Sequence, residues 1–217
     1  MGELEGELDA SKIAVEKPPP NNKFSVEVEI NGKKMRFSGK IPQGFVDSAT
    51  LQSWYLLPLD EKAEKASTKD LSQLGRNQQR WYAYGCPLGE LHFSGPTGID
   101  DPESLMILGV SSHSGNFPSQ SSYKSVRGIG NFFIKEICEL ANLQKRTLYL
   151  VPGDLLPPKE NDMTDAQLKQ WYGKNGFVDA GDNIRRIMKR DPQLPSGDRY
   201  ISKAYNLQQE KYNKTIG

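Results

Sequence analysis

The glycine-rich turn at residues 126–131 has the residue types of an anion-binding site. Its members are Val126, Arg127, Gly128, Ile129, Gly130 and Asn131. Glycines let the backbone approach a ligand closely, and the first N–H groups of a helix have no partner within that helix. Together with the positive charges of Arg127 and Lys124, these dipoles favour a phosphate or a pyrophosphate. The sequence therefore predicts a phosphate-binding turn here, with the alternative that Gly128-x-Gly130 only marks a tight strand-to-helix turn.

Two common phosphate motifs are missing from the sequence. The G-x-G-x-x-G pattern needs a third glycine where Phe133 stands, which argues against a Rossmann site. The pattern G-x-x-x-x-G-K-[ST] does not occur, which excludes a P-loop.

The elements around the turn predict a βαβ unit. Residues 105–110 are apolar apart from one glycine and predict a buried strand. A helix is predicted next, with apolar positions Ile129, Phe132, Phe133, Ile137, Leu140 and Ala141. Residues 146–151 predict a second strand, which is expected to lie parallel to the first.

The segments before residue 105 predict two hairpins with a helix between them. Residues 24–30 and 33–37 flank Asn31-Gly32, the strongest short hairpin signal. Asp47 or Ser48 is expected to cap a helix through Leu51, Trp54 and Tyr55, with a charged second segment at 59–66. The second hairpin pairs strands at 79–84 and 90–93.

The segments after residue 151 predict a helix, a strand pair and a final helix. Thr164 is expected to cap a helix that runs through Tyr172 and ends at Gly176. Strands are expected at 177–180 and 184–189, and a docking helix around Ile201, Ala204 and Tyr205.

Length and composition predict one domain with two extensions. The chain has 217 residues, and the predicted units are a flexible tail (1–22), a single domain (23–191) and a C-terminal extension (192–217). A net charge of +1 gives no field suited to nucleic acid or to an anionic membrane. No apolar run reaches the length of about 18 residues that spans a bilayer, and no signal-peptide core is present. Cys86 and Cys138 have no metal-ligand spacing, Cys138 is expected to be buried, and a cytoplasmic location is expected.

The order of these elements resembles the GNAT superfamily of acetyl-CoA-dependent N-acetyltransferases, over roughly residues 79–190. Val126 to Gly130 resembles the pyrophosphate loop of that family, Q/R-x-x-G-x-G/A. Trp171 to Phe177 resembles the Tyr-x-Lys-x-Gly-Phe stretch that closes its fourth helix. Leu108 to Ser112 resembles the end of the strand that pairs with the pantetheine arm. The resemblance implies an α+β fold in three layers, with a mixed, mostly antiparallel central sheet flanked by helices, a central βαβ unit and an extra N-terminal hairpin.

The resemblance implies acetyl-CoA as cofactor and an amine-bearing protein or small molecule as acceptor. The implied cofactor-binding residues are Leu108, Gly109, Val110, Ser111, Val126, Arg127, Gly128, Ile129, Gly130, Asn131 and Lys174. This sequence departs from the family at Ser125, where Gln or Arg is usual, and in the connection from His113 to Lys124, which is about ten residues longer than usual.

The implied reaction is transfer of an acetyl group by direct attack of the amine in a ternary complex. Tyr172 matches the usual general acid of the family, and the N–H groups of Gly109 to Ser111 are expected to polarise the thioester. The general base stays open. Glu90 and His92 lie two residues apart on one strand face, and Glu103 and His113 flank the cofactor strand.

Two other functions stay open beside the enzyme. One is a GNAT-fold protein without turnover that acts as a binding or regulatory module. The other is a scaffold whose two tails recruit a protein partner.

Overall fold

One mixed sheet organises the part of the chain that the structure describes. The computed structural model describes residues 22–42, 51–59, 87–95, 101, 103–113, 122–153, 163–181 and 186–216. The strands are β1 (Lys23–Ile30), β2 (Lys33–Lys40), β3 (Gln52–Pro58), β4 (Gly89–Ser94), β5 (Leu105–Ser112), β6 (Leu148–Leu150), β7 (Val178–Asp179) and β8 (Met188–Arg190). The helices are α1 (Ile129–Gln144), α2 (Asp165–Gly173) and α3 (Tyr200–Ile216).

The sheet is mostly antiparallel, and its strand order is β1-β2-β3-β4-β5-β6-β8-β7. Among the described strands, only β5 and β6 pair in parallel, and α1 connects them. A parallel pair needs such a crossover, and the predicted βαβ unit provides it. The predicted α+β class with a mostly antiparallel sheet is therefore confirmed.

The N-terminal hairpin is confirmed and belongs to the central sheet. Asn31 and Gly32 both have positive φ angles, 51° and 75°, which is the geometry of a type I′ turn. Residues 35–38 of β2 then pair with residues 55–58 of β3, so the hairpin extends the sheet at its first edge.

The predicted helix through Leu51, Trp54 and Tyr55 is wrong, because residues 52–58 form β3. Side chains along β3 alternate between buried and half-buried, as expected for a strand between two others. Trp54 faces the core, where its ring makes edge contacts with Phe24, Phe37 and Phe93. Cross-strand aromatic packing thus determines the secondary structure of this segment, whose apolar spacing also fits a helix.

The predicted pairing of strand 90–93 with residues 79–84 is wrong, because β4 pairs with β3 on one side and with β5 on the other. The other predicted elements are confirmed where the structure describes them. Strand 90–93 lies within β4, the predicted helices lie within α1, α2 and α3, and the late strand pair is β7 and β8. Thr164 caps α2 in a capping box with Gln167. Cys138 is buried as expected. The tail 1–21, the charged segment 60–66, strand 79–84 and Cys86 lie outside the described residues.

The core lies between the sheet and α1, and α3 packs beside α1. Ile129, Phe133, Ile137 and Leu140 project from α1 and are fully or almost fully buried. α3 contacts both α1 and β1, where Tyr200 Oη accepts a hydrogen bond from the Glu29 N–H (3.4 Å). None of the described helices combines the length and apolar character needed to cross a bilayer.

Two buried glutamates of α1 hold the start of α3. Glu136 Oε2 accepts a hydrogen bond from the Ile201 N–H (2.8 Å). Glu139 accepts from the N–H groups of Ser196 (3.1 Å) and Gly197 (2.8 Å) and from the Ser202 hydroxyl (2.8 Å). The Ile201 N–H belongs to the first turn of α3 and has no partner within that helix, while Ser196 and Gly197 belong to the segment that leads into it.

The burial of Glu136 predicts a pH dependence of stability. Burial raises the pKa of this carboxyl to about 7, although the hydrogen bond from Ile201 and the charge of Arg199 oppose the shift, and Glu139 and Asp198 add to it. The folded state therefore holds the proton more tightly than the unfolded chain does. The contribution of Glu136 is fully present below about pH 4.5 and is lost as the pH rises through 7, a change on the order of 3 kcal/mol.

Glu136→Gln is expected to remove this part of the pH dependence, because the amide oxygen keeps the bond from Ile201 without a charge. Urea unfolding at pH 5, 7 and 9 measures the contribution of Glu136 as the difference in free energy of unfolding between the original protein and the variant. Glu210→Gln, on the exposed side of α3, is the control and should track the original protein. If the free energy of unfolding changed with pH in the same way in the original protein and in Glu136→Gln, Glu136 would not be the source of this pH dependence.

Candidate functional site

β5 contains a β-bulge at Leu108, directly after the point where its pairing with β6 ends. The register between β4 and β5 shifts between His92 and Phe93, so that Leu108 is an extra residue of β5 with no partner on β4. Pairing between β5 and β6 ends one residue earlier, at Ile107 and Leu150, while β5 continues to Ser112. Bulges bend a strand and interrupt its ladder, and they are frequent beside active sites.

Among the described residues, the second half of β5 therefore has one open edge, on the side where β6 pairs with its first half. Within the described residues, the pairs that β5 forms beyond the bulge are all with β4. Leu108 and Val151, the first residues after the parallel pairs, are 42% and 47% exposed and apolar. A Cβ added at Gly109 would meet no atom of the described residues within 4 Å. This edge can pair with an extended ligand through the backbone, as sheet edges do in strand addition.

The N-terminus of α1 lies beside this edge. Gly128 is its N-cap with φ 86°, a left-handed conformation that favours glycine, and no side chain caps the terminus. The first turn of α1 contains no acidic residue. Asn31 Nδ2 donates a hydrogen bond to the Arg127 carbonyl (2.8 Å), so the β1–β2 turn supports the glycine turn. The N–H groups of Ile129, Gly130 and Asn131 are thus arranged as in anion-binding helix ends.

The end of α2 meets the same corner. A Cβ at Gly130 would lie 3.6 Å from the Trp171 ring and 3.8 Å from Val110 Cγ1, which brings α1, α2 and β5 together. Tyr172 is 9% exposed, and its ring packs against Trp171 (4.7 Å between centroids) and Phe177 (5.7 Å). The ring that contacts the predicted phosphate turn is that of Trp171, and Tyr172, the predicted acid, is its neighbour in α2 and packs against it.

A cluster of polar side chains occupies the face of the sheet that points away from α1. Glu90 Oε1 lies 3.2 Å from His113 Nε2, and Glu90 Oε2 lies 3.5 Å from His92 Nε2. His92 Nδ1 forms a hydrogen bond with the Ser53 hydroxyl (2.8 Å). Glu90 and His92 of β4 pair with Ser111 and Gly109 of β5, so this cluster adjoins the open half of β5. We call Ser53, Glu90, His92 and His113 the imidazole cluster.

The electrostatics of the imidazole cluster favour an ionised carboxylate. Burial raises the pKa of Glu90, but the hydrogen bond with His113, the close approach of His92 and the charge of both rings outweigh it, and the pKa falls to about 2. Glu90 is therefore a weak base near neutral pH. Histidine is the residue type that exchanges protons most readily there, and a carboxylate beside an imidazole orients the ring and stabilises its cation.

Two predicted site residues lie away from the open edge of β5, and one residue that was not predicted lies beside it. Lys174 lines another cavity, along the side of α1. The Glu103 carbonyl accepts a hydrogen bond from Arg146, at the far end of β5 from the open edge. Ser53 is absent from the predicted site residues, because the spacing of Leu51, Trp54 and Tyr55 predicts a helix. Read as a strand, the same segment puts Ser53 opposite His92, as the register shows.

Fold and site together define an α+β protein with a bulged, open strand edge beside a glycine-capped helix. No protein-family model and no curated protein matches the chain. Among solved structures it matches the crystal structure of the anti-CRISPR protein AcrVA5, at 19% sequence identity and a TM-score of 0.32. The match covers 46% of this chain and 87% of that one, and at this TM-score it adds nothing to the argument.

Proposed function

We propose that the protein is an acetyl-CoA-dependent N-acetyltransferase of the GNAT type. The observation that carries the proposal is the bulge at Leu108, beyond which β5 runs without β6 beside the glycine-capped N-terminus of α1. An acyl-CoA has a diphosphate, then an arm with two amides, then a thioester. A helix end for the diphosphate and a strand edge for the amides match this order of groups.

The proposed reaction is direct attack of an amine on the thioester in a ternary complex. The open edge adjoins the imidazole cluster on one face of the sheet and α1 on the other, so a bound arm would carry its thioester towards that cluster. The N–H groups of Gly109 to Ser111 would polarise the carbonyl, and Tyr172 would protonate the leaving thiolate. His92 or His113 would accept the proton of the amine, with Glu90 stabilising the imidazolium. The acceptor is an amine of a protein or of a small molecule.

Two departures from the family pattern support a second candidate, a GNAT-type module that binds the cofactor without turnover. Ser125 stands where Gln or Arg is usual, and the connection from His113 to Lys124 is about ten residues longer than usual. In that case the imidazole cluster serves stability, and cofactor binding is the function.

The first test is a thermal-shift titration with CoA and acetyl-CoA. A ligand that binds only the native state raises the melting temperature in a concentration-dependent way. Asn131→Asp places one negative charge in the first turn of α1, where it favours the helix and repels a diphosphate. We expect this variant to keep its stability and to bind CoA about tenfold more weakly or worse.

Asn206→Asp makes the same exchange at an exposed position of α3 and should leave CoA binding unchanged. Absence of CoA binding to the original protein, or equal binding to Asn131→Asp, would refute the proposed cofactor site. Transfer of acetyl groups to an amine library then separates the two candidates, since the binding module shows the thermal shift without product.

A further inference from the structure

A basic cavity lies along the side of α1, away from the open edge of β5. It has a volume of about 440 Å³ and is bounded by α1, the turn after α2, β8 and the segment that leads to α3. Its polar lining includes Lys135, Asn142, Lys174, Arg190, Gln193 and Arg199. Lys135 and Asn142 are two to four turns from the N-cap of α1, so this cavity is distinct from the glycine turn.

Arg190 is the fixed charge of this cavity. It is 5% exposed, and its guanidinium donates hydrogen bonds to the Asn142 side-chain oxygen (2.9 Å), the Asn175 carbonyl (3.1 Å) and the Gln193 side-chain oxygen (3.1 Å). All three acceptors are neutral, and none of the ion pairs formed within the described residues involves Arg190. A buried cation is costly unless an opposite charge accompanies it.

The carboxylate that lines the cavity is committed elsewhere. Glu139 accepts hydrogen bonds from the N–H groups of Ser196 and Gly197 and from the Ser202 hydroxyl, all at the start of α3. Those donors lower the pKa of Glu139 in spite of its burial, which raises it. The charge of Glu139 is therefore bound by donors at the start of α3. The exposed Lys135 and Lys174 add to the positive charge at the opening of the cavity.

We propose that this cavity binds the phosphate monoester group of a small phosphorylated ligand. Arg190 is oriented by its neutral partners and presents a planar donor to phosphate oxygens, while Lys135 and Lys174 supply mobile charges at the rim. The volume lies in the range of small-molecule sites and admits a ligand of metabolite or nucleotide size. This assignment stands on its own residues and does not depend on the proposed enzymatic function.

The test is a titration of the full chain with inorganic phosphate, followed by ³¹P NMR and calorimetry, with acetate at equal ionic strength as the comparison anion. Lys135→Gln with Lys174→Gln removes two exposed charges without touching the core, and is expected to weaken phosphate binding about tenfold or more. Lys33→Gln with Lys214→Gln removes the same charge from distant exposed positions and should stay within about twofold of the original protein.

The same variants identify the source of the phosphate. Weaker binding of inorganic phosphate with unchanged binding of CoA assigns the cavity to a separate phosphorylated compound. Weaker binding of both, with dephospho-CoA unaffected, assigns it to the 3′-phosphate of the cofactor. Equal phosphate binding by the cavity variant and its control, or binding of acetate as tight as that of phosphate, overturns the proposal.

Discussion

Tyr172→Phe is expected to slow acetyl transfer by about 10²- to 10⁴-fold while leaving the affinity for CoA unchanged. The phenylalanine ring keeps the contacts with Trp171 and Phe177 and removes only the hydroxyl that would protonate the departing thiolate. Because that proton is needed when the tetrahedral intermediate collapses, its loss acts on kcat more than on cofactor binding. Single-turnover transfer with saturating acetyl-CoA measures the effect.

Tyr205→Phe is the matched control, since Tyr205 is a half-buried tyrosine on α3. It should transfer acetyl groups at the original rate. Equal rates for the two variants would show that the Tyr172 hydroxyl takes no part in proton transfer, and the ring would then serve packing alone.

Gly89→Ala is expected to cost about 3 kcal/mol of stability and to abolish CoA binding. A Cβ at residue 89 would lie 2.4 Å from Ile129 Cγ2 and 2.7 Å from the Ser111 carbonyl oxygen. The backbone oxygen cannot rotate away as a flexible side chain does, so β5 and the first turn of α1 must move apart. Those are the two parts of the proposed cofactor site, and a stability loss and a binding loss therefore go together.

Urea unfolding and CoA calorimetry measure both consequences. Gly173→Ala is the control, because a Cβ there meets no atom within 4 Å and alanine favours a helix. A Gly89→Ala protein with the original unfolding midpoint and the original CoA affinity would show that α1 does not rest on β4 as described.

Local chemistry explains which elements the sequence predicts. The Asn31-Gly32 turn, the Thr164 capping box and the glycine N-cap of α1 are each encoded by a few adjacent residues, and all three are present. β3 was missed because the order Leu51, Trp54, Tyr55 fits a helical period, and only pairing with β2 and β4 decides between the two.

The most informative part of the candidate site depends on partners distant in sequence. Nothing in residues 105–112 marks Leu108 as the bulged residue, since a bulge is defined by the register with another strand. The imidazole cluster likewise joins Ser53, Glu90, His92 and His113 from three strand segments. The sequence placed Glu90 and His92 on one face, but the contacts of that face with Ser53 and His113 required the fold.

The position of α3 bears on the exposure of the sheet edge formed by β1. β1 forms one border of the described sheet, and its Glu29 amide is bonded to the Tyr200 hydroxyl of α3, while Gln208 of the same helix donates to the Asn22 carbonyl (2.9 Å). A strand at a border with unsatisfied amides is a template on which another chain can add a strand. Among the described elements, α3 thus covers part of this border, and undocking of the helix would expose backbone amides to strand addition.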